Sequence, residues 1–154
     1  MNVFFDTTFT DLLHLKLISL GFVSEKGASL YLELQGWTLG DRSQFVREVV
    51  LPLLGPPDGK LSVLEAATAI AEWLIGLSRS VTLLCDSLID VRLPGGQLHD
   101  AGIAQPHLIQ AANIYSPSVE GEIVRENLYA ATLHRRHALD DAEALMAAWK
   151  KDHG

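Results

Sequence analysis

The sequence predicts an α/β fold: a single domain over residues 1–154 in which a mixed five-stranded sheet is flanked by helices. Three observations lead there. Apolar, β-prone runs fill the first 34 residues and return at 81–85 and 107–115, while helical periodicity occupies the spans between and after them. The resulting order is strand, strand, strand, helix, helix, strand, strand, helix, helix, in which antiparallel pairing comes first and crossovers follow. A chain of 154 residues with 48% hydrophobic composition supplies one core and is too short for two ordinary domains.

The first strand is Val3-Phe4-Phe5-Asp6-Thr7-Thr8-Phe9-Thr10, an apolar run that ends in an acid followed by same-face polar positions. Alternate side chains of a strand share a face, so Asp6, Thr8 and Thr10 point together while Phe5 and Phe9 point away into packing. Residues 16–24 and 28–34 are two further β-prone runs, joined into a hairpin by Glu25-Lys26-Gly27. Asp41 or Ser43 is placed to cap a helix through Phe45, Val46, Val49, Val50 and Leu53, which Gly55-Pro56-Pro57 ends. Ser62 with Glu65 fits a capping box, and Leu64, Ala67, Ala71, Leu74 and Ile75 give the helix it opens an apolar face up to Leu77.

Residues 81–85 form a continuous apolar run, which suits a central strand covered on both faces, with Asp86 and Asp90 just past its end. Pro94-Gly95-Gly96 and Gly102 predict an irregular connection from Leu93 to Gln105. A last strand follows at 107–115, then a helix opened by Ser118 with Ile123, Leu128 and Leu133 among its apolar positions, and a final helix over 138–150.

The formal net charge of -7 disfavours a broad electrostatic grip on phosphate backbones. It leaves nucleic acid open, because bound cations offset the carboxylates of a metal-dependent nuclease. The lone Cys85 cannot form an internal disulfide, Met1-Asn2-Val3 lacks the features of a signal peptide, and Glu65, Glu72 and Asp86 interrupt the longest apolar stretches. A soluble, cytoplasmic protein with no membrane partner is the expectation. Trp37, Trp73 and Trp149 read as packing residues, Cys85 as a packed thiol, and His14, His99 and His107 show no ligand spacing. Asp140 and Asp141 suit the start of a helix through its macrodipole, and His134-Arg135-Arg136-His137 suits a solvated turn.

Taken together, three acidic segments resemble the motifs of the DEDD-type 3′-5′ exonucleases and exoribonucleases, an RNase H-like family. Asp6-Thr7-Thr8 resembles the aspartate-x-glutamate pair of the family's first strand, with Thr8 in the glutamate's place. Leu17 to Val23 is similar to the second strand of the oligoribonuclease-type and exoribonuclease-type members. Leu83 to Asp90 resembles the second motif, in which a polar residue closes the fourth strand and the metal-site aspartate follows four residues later; Asp90, not Asp86, is the matching acid. Ala138-Leu139-Asp140-Asp141-Ala142 resembles the third motif and matches its last aspartate with Asp141. The segments occur in the family's order across nearly the whole chain.

The resemblance implies an RNase H-like fold and removal of nucleotides from the 3′ ends of RNA or single-stranded DNA. It implies Mg2+ or Mn2+ held by Asp6, Asp90 and Asp141, with Asp6 shared by two ions and Asp141 acting with position 8 on one of them. Thr8 is a neutral, weaker ligand there. The family's general base is a histidine five residues before the last aspartate, a position that is Arg136 in this chain, and a guanidinium stays protonated. His137, four residues before Asp141, has the spacing of the family's tyrosine variant and is the candidate catalytic substitute, sharing a helix face with Asp141. Two function classes follow: an exonuclease impaired by Thr8 and Arg136, or an inactive pseudoenzyme that binds a nucleic acid or a protein. Family members often pair as homodimers, which leaves a homodimer open.

Overall fold

The first strand is the organising element, because it is central in the sheet and both of its faces are covered. The structure, a computed structural model, describes residues 1–10, 16–38, 43–78, 80–87, 90 and 109–154. Its strands are β1 (Asn2–Phe9), β2 (Leu17–Ser24), β3 (Ser29–Glu33), β4 (Val81–Cys85) and β5 (Ile109–Ile114), in the spatial order β3-β2-β1-β4-β5. The pairs β1 with β2 and β2 with β3 are antiparallel, whereas β4 runs parallel to both β1 and β5. Short links suffice for the antiparallel meander, while the parallel pairs require crossovers, the first of which carries helix α1 (Val63–Leu77). This five-stranded mixed sheet flanked by helices is the α/β arrangement expected from the sequence and is consistent with an RNase H-like fold.

The side-chain period of two divides β1 between two cores. On one face Val3 and Phe5, with Leu20 and Phe22 of β2, pack on Ala66, Ile70 and Leu74 of α1. On the other, Phe4, Val23 and Leu84 pack on Ala142, Leu145 and Trp149 of helix α3 (Ala138–His153), which lies beside helix α2 (Val119–Ala131). The capping box at Ser62 and Glu65 forms as expected, and Ser118 Oγ accepts the N–H of Gly121 to open α2. Trp73 packs on Phe22 and Trp149 on Phe4, so these two indoles are core residues.

One expectation changes. The helix expected through Phe45 and Leu53 is not regular: a π-helical turn over Val46–Val50 passes into a 3-10 turn over Leu51–Leu53. Pro52 has no N–H to give to a continuing α-helix, and the wider turn brings both Val46 and Val50 onto Ile18. Ser43 does accept the N–H of Val46, at 3.2 Å. Phe9 packs with Phe5 against the α1-side core as expected, although the β1–β2 register shifts between Thr8 and Phe9. Asp41, His14, His99, His107 and the connection from Leu93 to Gln105 lie outside the described residues. Among the described residues no helix is long and apolar enough to cross a membrane.

Helix α3 meets the sheet at Gly21, where a Cβ would lie 2.3 Å from the backbone carbon of Ala138 and from the nitrogen of Leu139. Backbone cannot yield as a side-chain tip can. Gly21→Ala is therefore expected to lower unfolding free energy by about 3 kcal/mol or more in urea titrations, at the upper end of overpacking effects. Gly76→Ala is the control, since a Cβ there meets nothing within 4 Å, and it is expected to be neutral or slightly stabilising.

Candidate functional site

In α/β sheets ligands bind beyond the carboxyl ends of parallel strands. Here the ends of β1 and β4 open onto a cleft of about 390 Å³. Asp6, Thr7, Thr8 and Phe9 line it from β1, and Asp86 and Ser87 follow directly from β4. Asp90, Arg125 and Tyr129 add a second side, and Arg135, Arg136 and Asp141 close it around the start of α3. The register explains the placement of the first acid: Asp6 sits opposite Gly21, on which α3 rests, so that Asp141, one turn into that helix, reaches the same cleft.

Each acid is held differently. Asp90 is only 3% exposed, and its Oδ1 accepts the hydroxyl of Thr7 at 2.5 Å. Burial pushes its pKa up to about 6, against the pull of that hydrogen bond. Asp6 is raised well above the usual carboxylate range, first by burial and then by the charges of Asp90, Asp141 and Asp86, with Arg125 pulling the other way. Asp141 is raised by burial and opposed by two donors, the Tyr129 hydroxyl on Oδ1 at 2.5 Å and the Arg136 N–H on Oδ2 at 3.0 Å. Asp86 is exposed and ion-pairs with Arg125 at 2.9 Å.

Asp6, Asp86 and Asp90 each offer a carboxylate oxygen, and the three lie within 4.8 Å of one another, a grouping that could hold a metal ion. The donor set fits a hard divalent cation such as Mg2+ or Mn2+, which prefers oxygen ligands and keeps several waters. Buried carboxylates crowded enough to raise each other's pKa values are also those whose ionised forms gain most from a cation.

Of the residues singled out in the sequence, Asp6, Thr8, Asp90, Arg136 and Asp141 all border this cleft, and His137 does not. The shared helix face expected for His137 and Asp141 assumed that both lie within the helix. His137 instead occupies the N-cap of α3 with extended backbone, and its ring lies over Tyr31 with centroids 4.5 Å apart. Its Nδ1 is 3.2 Å from Asp140 without hydrogen-bond geometry. Thr8 Oγ1 is turned to Ser19, its partner across the β1–β2 register, with the hydroxyl oxygens 2.5 Å apart. Arg136 adopts φ 70°, in the left-handed region, and places its guanidinium 5.6 Å from the centroid of the Phe45 ring.

Thr7, Phe9, Asp86, Ser87, Arg125, Tyr129 and Arg135 also line the cleft and were not expected there as site residues. Arg125 and Tyr129 stand four apart on α2, a spacing that puts them on one stripe, but nothing local in the sequence ties that stripe to β4. Arg125 also pairs with Glu122 at 3.2 Å, and Arg135 pairs with Glu126 and lies 4.3 Å from the Tyr129 ring centroid. Cys85 is the packed thiol expected, buried, with its S–H toward the Ser87 carbonyl and its pKa pushed up to about 11 by burial. A second, mainly apolar cavity of about 420 Å³ adjoins the cleft; Phe9, Phe45, Val46 and Val50 line it, and it shares Thr8 and Arg136 with the acidic side. The chain matches no protein-family model and no curated protein.

A raised carboxylate pKa stabilises the fold fully below the unfolded-state value and loses that contribution as pH rises through the folded value. For Asp90 the window runs from the ordinary 3.8 to about 6, and the loss amounts to about 3 kcal/mol. In chelator, thermal unfolding is expected to show stability falling between about pH 4 and pH 7, and Asp90→Asn should flatten that slope.

Proposed function

We propose that this chain is a divergent DEDD-type 3′-5′ exonuclease-class protein whose acidic cleft binds the 3′ end of RNA or single-stranded DNA, with hydrolysis slowed. The observation that supports this reading is the convergence of Asp6, Asp90 and Asp141, from three separate segments, at the carboxyl end of the sheet. A phosphodiester cannot approach such a cluster without a cation between them. Mg2+ or Mn2+, when bound by Asp6 and its neighbours, supplies that charge, polarises a phosphoryl oxygen and lowers the pKa of water. Arg136, which lines the same cleft, offers forked donors to phosphate oxygens. The apolar cavity beside it presents the half-exposed ring of Phe45, on which a terminal base can stack.

Slow hydrolysis follows from the same geometry. Thr8 is neutral and bonded to Ser19, Arg136 stands where the family has its base, and His137 faces Tyr31. The second reading, an inactive pseudoenzyme that binds a nucleic acid end or a protein, is favoured by the Arg125–Asp86 pair and the Tyr129–Asp141 hydrogen bond, which partly satisfy the acids without a cation. A cytoplasmic setting accords with a lone buried thiol.

The test uses a 5′-labelled single-stranded oligonucleotide with a free 3′-hydroxyl, in Mn2+ and in chelator. Mn2+-dependent binding with slow trimming from the 3′ end is expected, and Asp6→Asn should abolish the trimming. Binding without trimming would favour the pseudoenzyme, and neither would sink both readings. Thr8→Glu returns a hard anionic ligand and is expected to raise trimming by about tenfold or more, the scale on which metal-site residues act. No gain would place the defect at Arg136.

A further inference from the structure

We infer that Arg125 is the built-in counter-charge of the cleft, so that the cleft takes one divalent ion, held by Asp6, Asp86 and Asp90, rather than two. This rests on the cation-dependent reading of the cleft and goes beyond it by assigning the ion count, a ligand in Asp86 and a role for Arg125.

A second ion would have to draw on Asp6 together with position 8 and Asp141. Position 8 offers a neutral hydroxyl, 7% exposed and already paired with Ser19. Asp141 has a donor on each oxygen, from Tyr129 and from the Arg136 backbone, and the Arg136 side chain brings a fixed positive charge to the same cleft. The other three acids differ. Asp90 is 97% buried with Thr7 on one oxygen, Asp6 lines the cleft beside it, and Asp86 is exposed, so that an arriving ion can reach it.

Arg125 is fixed rather than wandering. Its side chain is 14% exposed, one terminal nitrogen holds Asp86 at 2.9 Å and the other holds Glu122, which is itself half-exposed and outside the cleft. Its Nε is buried, with no hydrogen-bond partner among the described residues. Among the described residues Asp6, Asp86, Asp90 and Asp141 share the cleft with Arg125, Arg135 and Arg136, and Arg136 is the guanidinium of the three for which no carboxylate ion pair is seen among them.

The experiment is calorimetric titration of the full chain with Mn2+ alone, with electron paramagnetic resonance to detect coupled pairs of ions. The expected result is one Mn2+ per chain with no coupled-pair signal. Asp90→Asn should weaken binding about tenfold or more, while Asp141→Asn should leave it within about threefold. Arg125→Gln removes the group that competes for Asp86 and should tighten binding about tenfold, whereas Arg125→Lys, which keeps the charge, should stay near the parent value. Two ions per chain, equal losses in the two asparagine variants, no binding at millimolar Mn2+, or no difference between Arg125→Gln and Arg125→Lys would each overturn the inference. One ion without 3′-end binding or trimming would leave it standing while sinking the proposed function, and two ions with trimming would do the reverse.

Discussion

The structure depends on a close approach of backbone to backbone. Helix α3 begins on Gly21, where no side chain intervenes between the peptide units of Ala138 and Leu139 and strand β2. Because Gly21 is paired with Asp6, the same contact that seats the helix also sets how far Asp141 stands from the first-strand acid. Two positions along β1, Phe4 pairs with Val23, and both pack against Ala142, Leu145 and Trp149, which fixes the direction of the helix after its start is fixed. The acidic cleft is thus a consequence of core packing on one face of the sheet. Its geometry cannot be adjusted without moving a buried helix.

That seating forces charge into a confined space, and the surrounding groups limit the cost. Thr7 donates to Asp90, Tyr129 and the Arg136 backbone donate to Asp141, and Arg125 neutralises Asp86. Arg136 shows what the arrangement demands locally. A non-glycine residue in the left-handed region costs about 1–2 kcal/mol, and such strain persists where the surroundings over-determine it. Here its N–H is tied to Asp141 and its guanidinium lies near the Phe45 ring, so the same residue borders both the acidic cleft and the apolar cavity.

Much of this was legible in the residues, and the failures have physical causes. The order of strands and helices along the chain, the Ser62–Glu65 cap and the two-faced first strand were readable because each rests on local periodicity or capping chemistry. Asp6, Asp90 and Asp141 were legible through their order along the chain. His137 was misplaced because it is the last extended position, directly before the first helical residue Ala138, and its ring lies over Tyr31 rather than in the cleft. Thr7 was passed over because alternation sorts residues between faces, whereas the cleft lies past the end of the strand and accepts side chains from both. Asp86 was set aside once Asp90 had filled a single expected position. Arg125 and Tyr129 required knowing that α2 passes over the end of β4, which is tertiary information.

Thr8 ties these levels together. On the sheet, position 8 faces Ser19 across an antiparallel pair, and two hydroxyls satisfy each other there with little exposure to water. The fold therefore tolerates the absence of a carboxylate. In the cleft, Thr8 places a neutral hydroxyl rather than a charge among Asp6, Arg125 and Arg136. Under the proposed reading, such a site favours holding a phosphate-bearing end over activating water against it, because fixed arginines bind anions well and abstract protons poorly. On that reading Thr8, Arg125 and Arg136 act in one direction, and Asp6, Asp90 and Asp141 set where a cation and a chain end would meet.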